Sequence, residues 1–224
     1  MPSRHTFFNS SVGSKFLIAF TGLSLVGFLI AHLAGNLLVY ASPEAFNHYS
    51  DKLIKNPLVI PAELGLVALF LLHAYKAVRM FLGAREARPV GYARKARAGH
   101  TSRKSWASTT MILSGTFLLL FVPFHLKTFK YGSHYESPEA GVRDLFRTVA
   151  EVFSRPGYVA FYVVGMAVIG FHLWHGVSSA LQSLGIDRLG WSPVLRRIGW
   201  IVAVVLTVGF LSIPLYFYFL GARS

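Results

Sequence analysis

The stretch from Ser14 to Tyr40 is long and apolar enough to cross a lipid bilayer, and it carries a single histidine, His32. Such a segment crosses the hydrocarbon core, about 30 Å thick, as a helix, because a helix satisfies its own backbone hydrogen bonds where no water is present. An ionisable side chain inside a span costs a few kcal/mol and requires a partner within the protein. His32 is therefore the first candidate for a functional residue.

Four further apolar runs follow the first, and 54% of the 224 residues are hydrophobic. This composition is too apolar for an ordinary soluble domain, and a second, soluble domain has no room. We therefore predict an all-α fold: a polytopic membrane protein with five transmembrane helices in one bundle, forming a single domain over residues 1–224. The expected helices cover residues 14–40, 62–83, 105–129, 156–184 and 198–220.

The connection before the fourth span contains apolar residues at helical spacing among charged ones. They are Val142, Leu145, Phe146, Val149, Val152 and Phe153. This pattern predicts a short helix lying in the membrane surface.

The chain contains no cysteine. This excludes disulfides, iron–sulfur clusters held by this chain, thiolate-ligated haem, covalently attached haem and thiol catalysis. Any metal chemistry must therefore depend on histidine, of which the chain has 9.

The formal net charge of +13 would suggest a nucleic-acid partner in a soluble protein, but here the charges lie in the connections between apolar spans. We therefore expect a lipid bilayer, and no nucleic acid, around this chain. The N-terminus and the second and fourth connections together hold most of the 22 Lys and Arg residues but few of the 9 acidic residues. The positive-inside rule then predicts a cytoplasmic N-terminus and a C-terminus outside.

Each histidine in a span acquires a depth when residues are counted from the helix ends, at about 1.5 Å per residue. His32 and His125 fall in the outer half of the membrane, whereas His73 and His172 fall at middle to inner depth. Two pairs of neutral imidazoles at two depths suit two b-type haems, each with its iron held from both sides by helices.

Two other uses of these histidines are less consistent with the pattern. Zinc requires ligands that converge at one depth, often with a carboxylate, and the only acid near a span is Glu63. A haem-free proton-coupled transporter is the alternative from another functional class, because intramembrane histidine and glutamate can relay protons. That alternative leaves the pairing at two depths unexplained.

Several segments of the chain match a known family. They are SVGSKFLIAFTGL with His32 and GNL, FNHYSDKL and NP, Glu63 and Leu64 ahead of His73, ARP and GYARKA, MILSG with FHL at His125, and FHLWHG with QSLG. Together they resemble the dihaem cytochrome b membrane-anchor subunit of succinate dehydrogenase or fumarate reductase, the succinate:quinone oxidoreductases. The resemblance covers nearly the whole chain, from about Ser11 to Phe219.

The resemblance implies a five-helix subunit of a bacterial cytoplasmic (inner) membrane that anchors a flavoprotein containing FAD and an iron–sulfur protein. It implies two haems b, with His32 and His125 binding the distal haem and His73 and His172 the proximal one. Such a subunit carries electrons between the cytoplasmic dehydrogenase and quinone, usually menaquinone, and catalyses no dicarboxylate chemistry by itself. The cytochrome b subunit of a hydrogenase or formate dehydrogenase is the alternative within electron transfer.

One ligand assignment has a competitor nearby. His175 follows His172 by three residues and faces nearly the same way, so by geometry alone either residue could bind the iron. The family's spacing to the glycine that closes the helix, Gly185 in this chain, favours His172.

The resemblance also implies a carboxylate at an outer quinone site. This sequence has Asn56 at about the corresponding position. The candidates for quinone-site residues are therefore the acids on either side, Asp51 and Glu63, together with His48.

Overall fold

The computed structural model describes residues 10–87, 110–139, 141–186 and 192–221. Regular structure within these ranges is helical, apart from one isolated β-bridge between Glu136 and Arg143. The helices are α1 Ser11–Asn36, α2 Pro43–Lys55, α3 Val59–Glu86, α4 Met111–His125, α5 Leu145–Phe153, α6 Pro156–Ser183 and α7 Ser192–Phe219. A 3-10 turn, Leu37–Tyr40, extends α1, and a π-helical turn, Leu126–Lys130, extends α4.

Five of these helices, with their extensions, are long and apolar enough to span a membrane: α1, α3, α4, α6 and α7. This confirms the predicted all-α fold with five transmembrane helices. Helices α3 and α7 begin earlier than predicted, with Pro61 and Pro193 inside their first turns. Proline is tolerated there because the first backbone N–H groups of a helix have no intrahelical partner. The predicted start of the third span, residues 105–109, lies outside the described residues.

Local side-chain and backbone features set several helix ends. The side chains of Ser10, Ser42 and Asp144 each accept a hydrogen bond from the backbone N–H three residues later, at 3.0–3.1 Å. These caps satisfy N–H groups that the first helical turn leaves free. At the other end of α6, Gly185 has φ +78°, a left-handed conformation that glycine adopts without a steric penalty.

Four of the spanning helices form a ring. Helix α1 packs beside α3 and α6, and α4 packs beside the same two helices. Consequently α1 lies diagonally opposite α4, and α3 lies diagonally opposite α6. The histidines predicted to bind haem belong to these four helices, whereas α7 lies outside the ring and packs mainly along α6.

The α1–α3 and α4–α6 connections, predicted to lie outside, pack together at one end of the ring. Asn47 of α2 is buried, donates to Asp144 Oδ1 at 2.9 Å and accepts from Phe146 N at 2.9 Å. The short helix predicted in this region is present as α5, but its environment differs from the prediction. Val149 and Phe153 are buried in the protein core, and α5 packs against α2 and α7. Its apolar face therefore covers protein rather than lying in the membrane surface.

Helices α6 and α7 are in close backbone contact at Gly199 of α7. A Cβ atom added at this glycine would lie 3.1 Å from the carbonyl oxygen of Trp174 and 3.2 Å from the backbone nitrogen of Ser178. Both contacts are with the backbone of α6, which cannot rotate away as a side chain can. Gly199 thus allows the fifth span to pack on the ring.

We expect Gly199→Ala to lower the free energy of unfolding by about 1–3 kcal/mol, the usual cost of overpacking a well-filled interface. The matched change Gly83→Ala adds a Cβ with no atom within 4 Å. It should leave stability unchanged or raise it by up to about 1 kcal/mol, because alanine favours helix more than glycine does. Thermal unfolding in detergent measures both variants. Equal melting temperatures would contradict a tight crossing at Gly199.

Candidate functional site

One histidine pair, the outer pair, lies across the diagonal between α1 and α4. The ring centroids of His32 and His125 are 5.8 Å apart, and the ring planes are nearly perpendicular, at 88°. Phe28 stacks on His32 at 5.3 Å, and Phe121 stacks on His125 at 5.9 Å. Each phenylalanine precedes its histidine by one helical turn, so both rings are held against their own helices in the same way.

A second pair, the inner pair, lies across the other diagonal, between α3 and α6. The ring centroids of His73 and His172 are 6.4 Å apart, with an interplanar angle of 67°. His73 Nδ1 lies 3.1 Å from Thr21 Oγ1 and 3.1 Å from the carbonyl oxygen of Ile18, and His172 Nδ1 lies 3.0 Å from Ser114 Oγ. The inner rings are therefore anchored to the neighbouring helices α1 and α4.

The two pairs lie at different depths in the bundle. On α1, the residue that contacts the inner pair is Thr21, eleven positions before His32. On α4, the corresponding residue is Ser114, eleven positions before His125. Eleven residues correspond to about 16 Å of helix at 1.5 Å each. Both helices thus give the same vertical separation.

The spacing within each pair fits a metal ion bound between two imidazoles. With metal–nitrogen bonds of about 2 Å, and ring nitrogens about 1 Å from the centroid, two rings on opposite sides of one ion have centroids about 6 Å apart. The observed values of 5.8 and 6.4 Å agree with this distance. In the part of the chain that the structure describes, no three His, Asp or Glu side chains converge as a metal site. Two protein ligands per metal fit haem, which supplies the other four nitrogens, better than zinc.

The outer rings have longer polar contacts than the inner ones. Asn36 Nδ2 lies 3.4 Å from both ring nitrogens of His32 and donates to the backbone oxygen of His32 at 2.8 Å. The hydroxyl of Tyr162 lies 3.4 Å from His125 Nδ1 and is buried. The sequence did not single out Tyr162, because a tyrosine inside an apolar span is usually part of the packing.

His175, the alternative ligand, is half-buried and lies one turn closer to the inner end of α6. Among the ring contacts of the described residues, His73 is paired with His172 and not with His175. The structure therefore brings His172 to the inner pair and leaves His175 beside it.

The three residues predicted for a quinone site do not form one cluster within the described ranges. Each has a different partner: Glu63 with Lys130 at 2.5 Å, Asp51 with Lys55 at 2.7 Å, and His48 with Glu139 at 2.9 Å. Of the three, Glu63 is the one that belongs to a spanning helix, and its partner Lys130 follows His125 by five residues. Glu63 is therefore the candidate that is linked to the outer pair.

Other polar groups of the outer connections are engaged within the protein. Glu151 accepts hydrogen bonds from Tyr135 Oη at 2.5 Å and from Arg147 Nε at 3.1 Å, and these donors lower the pKa of its carboxyl group. Asn56 Oδ1 accepts from Leu58 N at 2.9 Å. Asn56 thus shapes the turn before α3.

Comparison with known proteins gives one informative match. No family model matches this chain, and no solved structure matches it. The succinate dehydrogenase cytochrome b558 subunit of Bacillus subtilis (strain 168) is 27% identical to it over 186 residues, which cover 81% of this chain and 82% of that protein. The similarity therefore extends through most of both chains. This multi-pass membrane protein is homologous to a succinate dehydrogenase cytochrome b subunit, which confirms the resemblance that its motifs indicated.

Proposed function

We propose that this chain is the cytochrome b membrane anchor of a succinate:quinone oxidoreductase, a succinate dehydrogenase or fumarate reductase. In this role it binds two haems b and carries electrons between a cytoplasmic dehydrogenase and quinone. The quinone that we propose is menaquinone. One observation carries the proposal: two histidine pairs lie across the two diagonals of the bundle. In each pair the distance between the ring centroids fits a metal ion bound between two imidazoles. The homologous subunit supports succinate dehydrogenase over a hydrogenase or formate dehydrogenase.

The chain's own residues supply ligands and a dry environment. His32 and His125 would hold the distal haem, and His73 and His172 the proximal one. When bound, each haem supplies an iron that accepts and releases one electron. The helices fix the depth of each ligand, and aromatic neighbours such as Phe28 and Phe121 keep the outer imidazoles in place.

The charge distribution supports an orientation for this assembly. With the N-terminus in the cytoplasm and the C-terminus outside, the inner pair faces the side on which the flavoprotein, with its FAD, and the iron–sulfur subunit would dock. Arg79 and Arg85 lie at the inner end of α3, and the basic residues that follow, Arg88, Arg94, Lys95 and Arg97, lie outside the described residues. The outer pair and Glu63 would then lie on the side of the quinone site.

The first prediction concerns cofactor content. Purified protein should contain two haems per chain, all extractable with acid acetone because no cysteine can attach them. His73→Ala should lose one haem, since it removes a ligand of the inner pair. His175→Ala, a change of the same size three residues from His172, should keep both. A pyridine haemochrome assay measures the haem content of these proteins and of His172→Ala, which should also lose one haem.

The same assay can also contradict the proposed haem ligands. One haem or none in the unmodified protein would refute the proposed pairing. Loss of a haem in His175→Ala, with retention in His172→Ala, would assign the inner ligand to His175 instead.

The second prediction tests Glu63 as a quinone-site residue. Glu63→Gln removes the charge that pairs with Lys130, and we expect quinone-linked succinate oxidation to fall by about tenfold or more, as when a proton-transfer group is lost. Dye-linked succinate oxidation and haem content should not change. Glu44→Gln, which neutralises an exposed acid in α2, is the matched control. Equal quinone-linked rates in the two variants would exclude Glu63 from the site.

The third prediction follows from a quinone site outside and a dicarboxylate site inside. Each electron that passes between them crosses most of the membrane, which couples to about 2.3 kcal/mol per 100 mV. Menaquinone is a low-potential acceptor, so its reduction by succinate in sealed vesicles should require the membrane potential and slow when an uncoupler is added. Dye-linked oxidation on the inner side is the control. A quinone-linked rate indifferent to the uncoupler would contradict an uncompensated transmembrane path.

A further inference from the structure

The two hairpins of the ring, α1 with α3 and α4 with α6, carry the same short pattern on their first helices. The pattern is a hydroxyl residue and a glycine, then five intervening residues, a phenylalanine, three intervening residues and a histidine. The two copies are Thr21, Gly22, Phe28 and His32 on α1, and Ser114, Gly115, Phe121 and His125 on α4. The histidine of each copy belongs to the outer pair, and the phenylalanine stacks on it. The outer pair does not explain the hydroxyl residue and the glycine.

Each hydroxyl contacts the inner histidine of its own hairpin. Thr21 Oγ1 donates its proton to the carbonyl oxygen of Leu17 at 2.7 Å, so toward His73 it acts as an acceptor. Ser114 Oγ likewise donates to the carbonyl oxygen of Met111 at 3.0 Å and can accept from His172. Both hydroxyl residues are buried, at 1% and 9% exposure, so water does not compete for these contacts.

These contacts indicate the same tautomer for both inner rings. With its own proton on a backbone carbonyl, each hydroxyl oxygen is left to accept at Nδ1, which favours the proton of each neutral imidazole on Nδ1 and the lone pair on Nε2. For His73 the same conclusion follows independently from the carbonyl oxygen of Ile18, which can only accept. The nitrogen available for a metal is therefore Nε2 in both inner histidines.

The glycine beside Thr21 allows the ring of His73 to approach α1 closely. A Cβ at Gly22 would lie 3.0 Å from Cε1 of His73, and a Cβ at Gly115 would lie 3.6 Å from Cε1 of His172. The first of these distances is closer than an ordinary contact permits, so a side chain at Gly22 would push the ring away from Thr21. The glycine and the hydroxyl thus act together to seat the ring of His73, whereas the 3.6 Å at Gly115 is an ordinary van der Waals distance.

The polar contacts of the outer rings are longer in the described structure. Asn36 meets the ring of His32 through its amide nitrogen, a donor, and Tyr162 lies 3.4 Å from His125 Nδ1. The short acceptor contacts are confined to the inner pair.

We propose that Thr21 and Ser114 are positioning residues that hold His73 and His172 with Nε2 toward the inner metal and make both ligands more electron-donating. This inference rests on the proposed binding of haem. A hydrogen bond from Nδ1–H to an acceptor orients the ring and raises the basicity of the opposite nitrogen. A more basic ligand stabilises the more highly charged, oxidised iron, so these two hydroxyls lower the reduction potential of the inner haem.

The experiment compares variants with and without the hydroxyl. Thr21→Val and Ser114→Ala should keep two haems per chain but raise the midpoint potential of the inner haem and shift its low-spin EPR signal, leaving the outer haem unchanged. The inner component is identified as the one lost in His73→Ala. Ser114→Ala should cause the larger shift, because His73 retains the carbonyl oxygen of Ile18 when Thr21 is replaced.

Two sets of controls separate this role from a general effect of mutation. Ser24→Ala and Thr116→Val remove hydroxyls of the same two helices that bond only backbone carbonyls on exposed faces, and they should change neither potential nor EPR signal. Thr21→Ser and Ser114→Thr keep the acceptor and should resemble the unmodified protein; Ser114→Thr gives the second hairpin the residue that the first already uses.

The outcomes distinguish this inference from the proposed function. Unmodified protein without two haems would overturn the proposed function itself. With two haems present, unshifted potentials and EPR signals in both hydroxyl-free variants would overturn the role of Thr21 and Ser114. The same holds if the hydroxyl-retaining variants behave like the hydroxyl-free ones, whether through shifted potentials or through loss of the inner haem.

Discussion

An imidazole inside a membrane span has to satisfy its ring nitrogens within the protein, and in this chain that requirement organises the bundle. His32 and His125 meet between α1 and α4, and His73 and His172 meet between α3 and α6. Both meetings need the paired helices to stand diagonally across the ring rather than side by side. The order of helices around the ring is therefore the order that brings the two histidines of each pair together.

The ring is not held uniformly by apolar packing. Helix α6 contributes many buried residues, whereas none of the described residues of α3 is buried. Helix α3 is instead tied to its neighbours by polar contacts at two depths: His73 with Thr21 and Ile18 on α1, and Glu63 with Lys130 after α4. Such contacts are specific in direction and register, so they constrain the position of α3 in addition to its packing beside α1 and α4.

Much of this arrangement could be predicted from the sequence, because hydropathy and charge asymmetry locate spans and connections without knowledge of tertiary contacts. Counting residues from the span ends also places at one depth the histidines whose rings are in contact in the structure. The environment of α5 could not be predicted, because an apolar helix face looks the same whether it meets lipid or Val149 and Phe153 pack inside the protein. Thr21 and Ser114 were missed because small hydroxyl residues in membrane helices commonly bond only their own backbone. Lys130 was missed because the π-helical turn after His125 changes which side chain faces α3.

The repeated pattern on α1 and α4 has a consequence for how the two halves of the chain depend on each other. The outer pair takes one histidine from α1 and one from α4, and the inner pair takes one from α3 and one from α6. Each pair therefore has one member in the α1–α3 hairpin and the other in the α4–α6 hairpin. Neither hairpin contains a complete site, and each site exists only where the two halves of the chain meet.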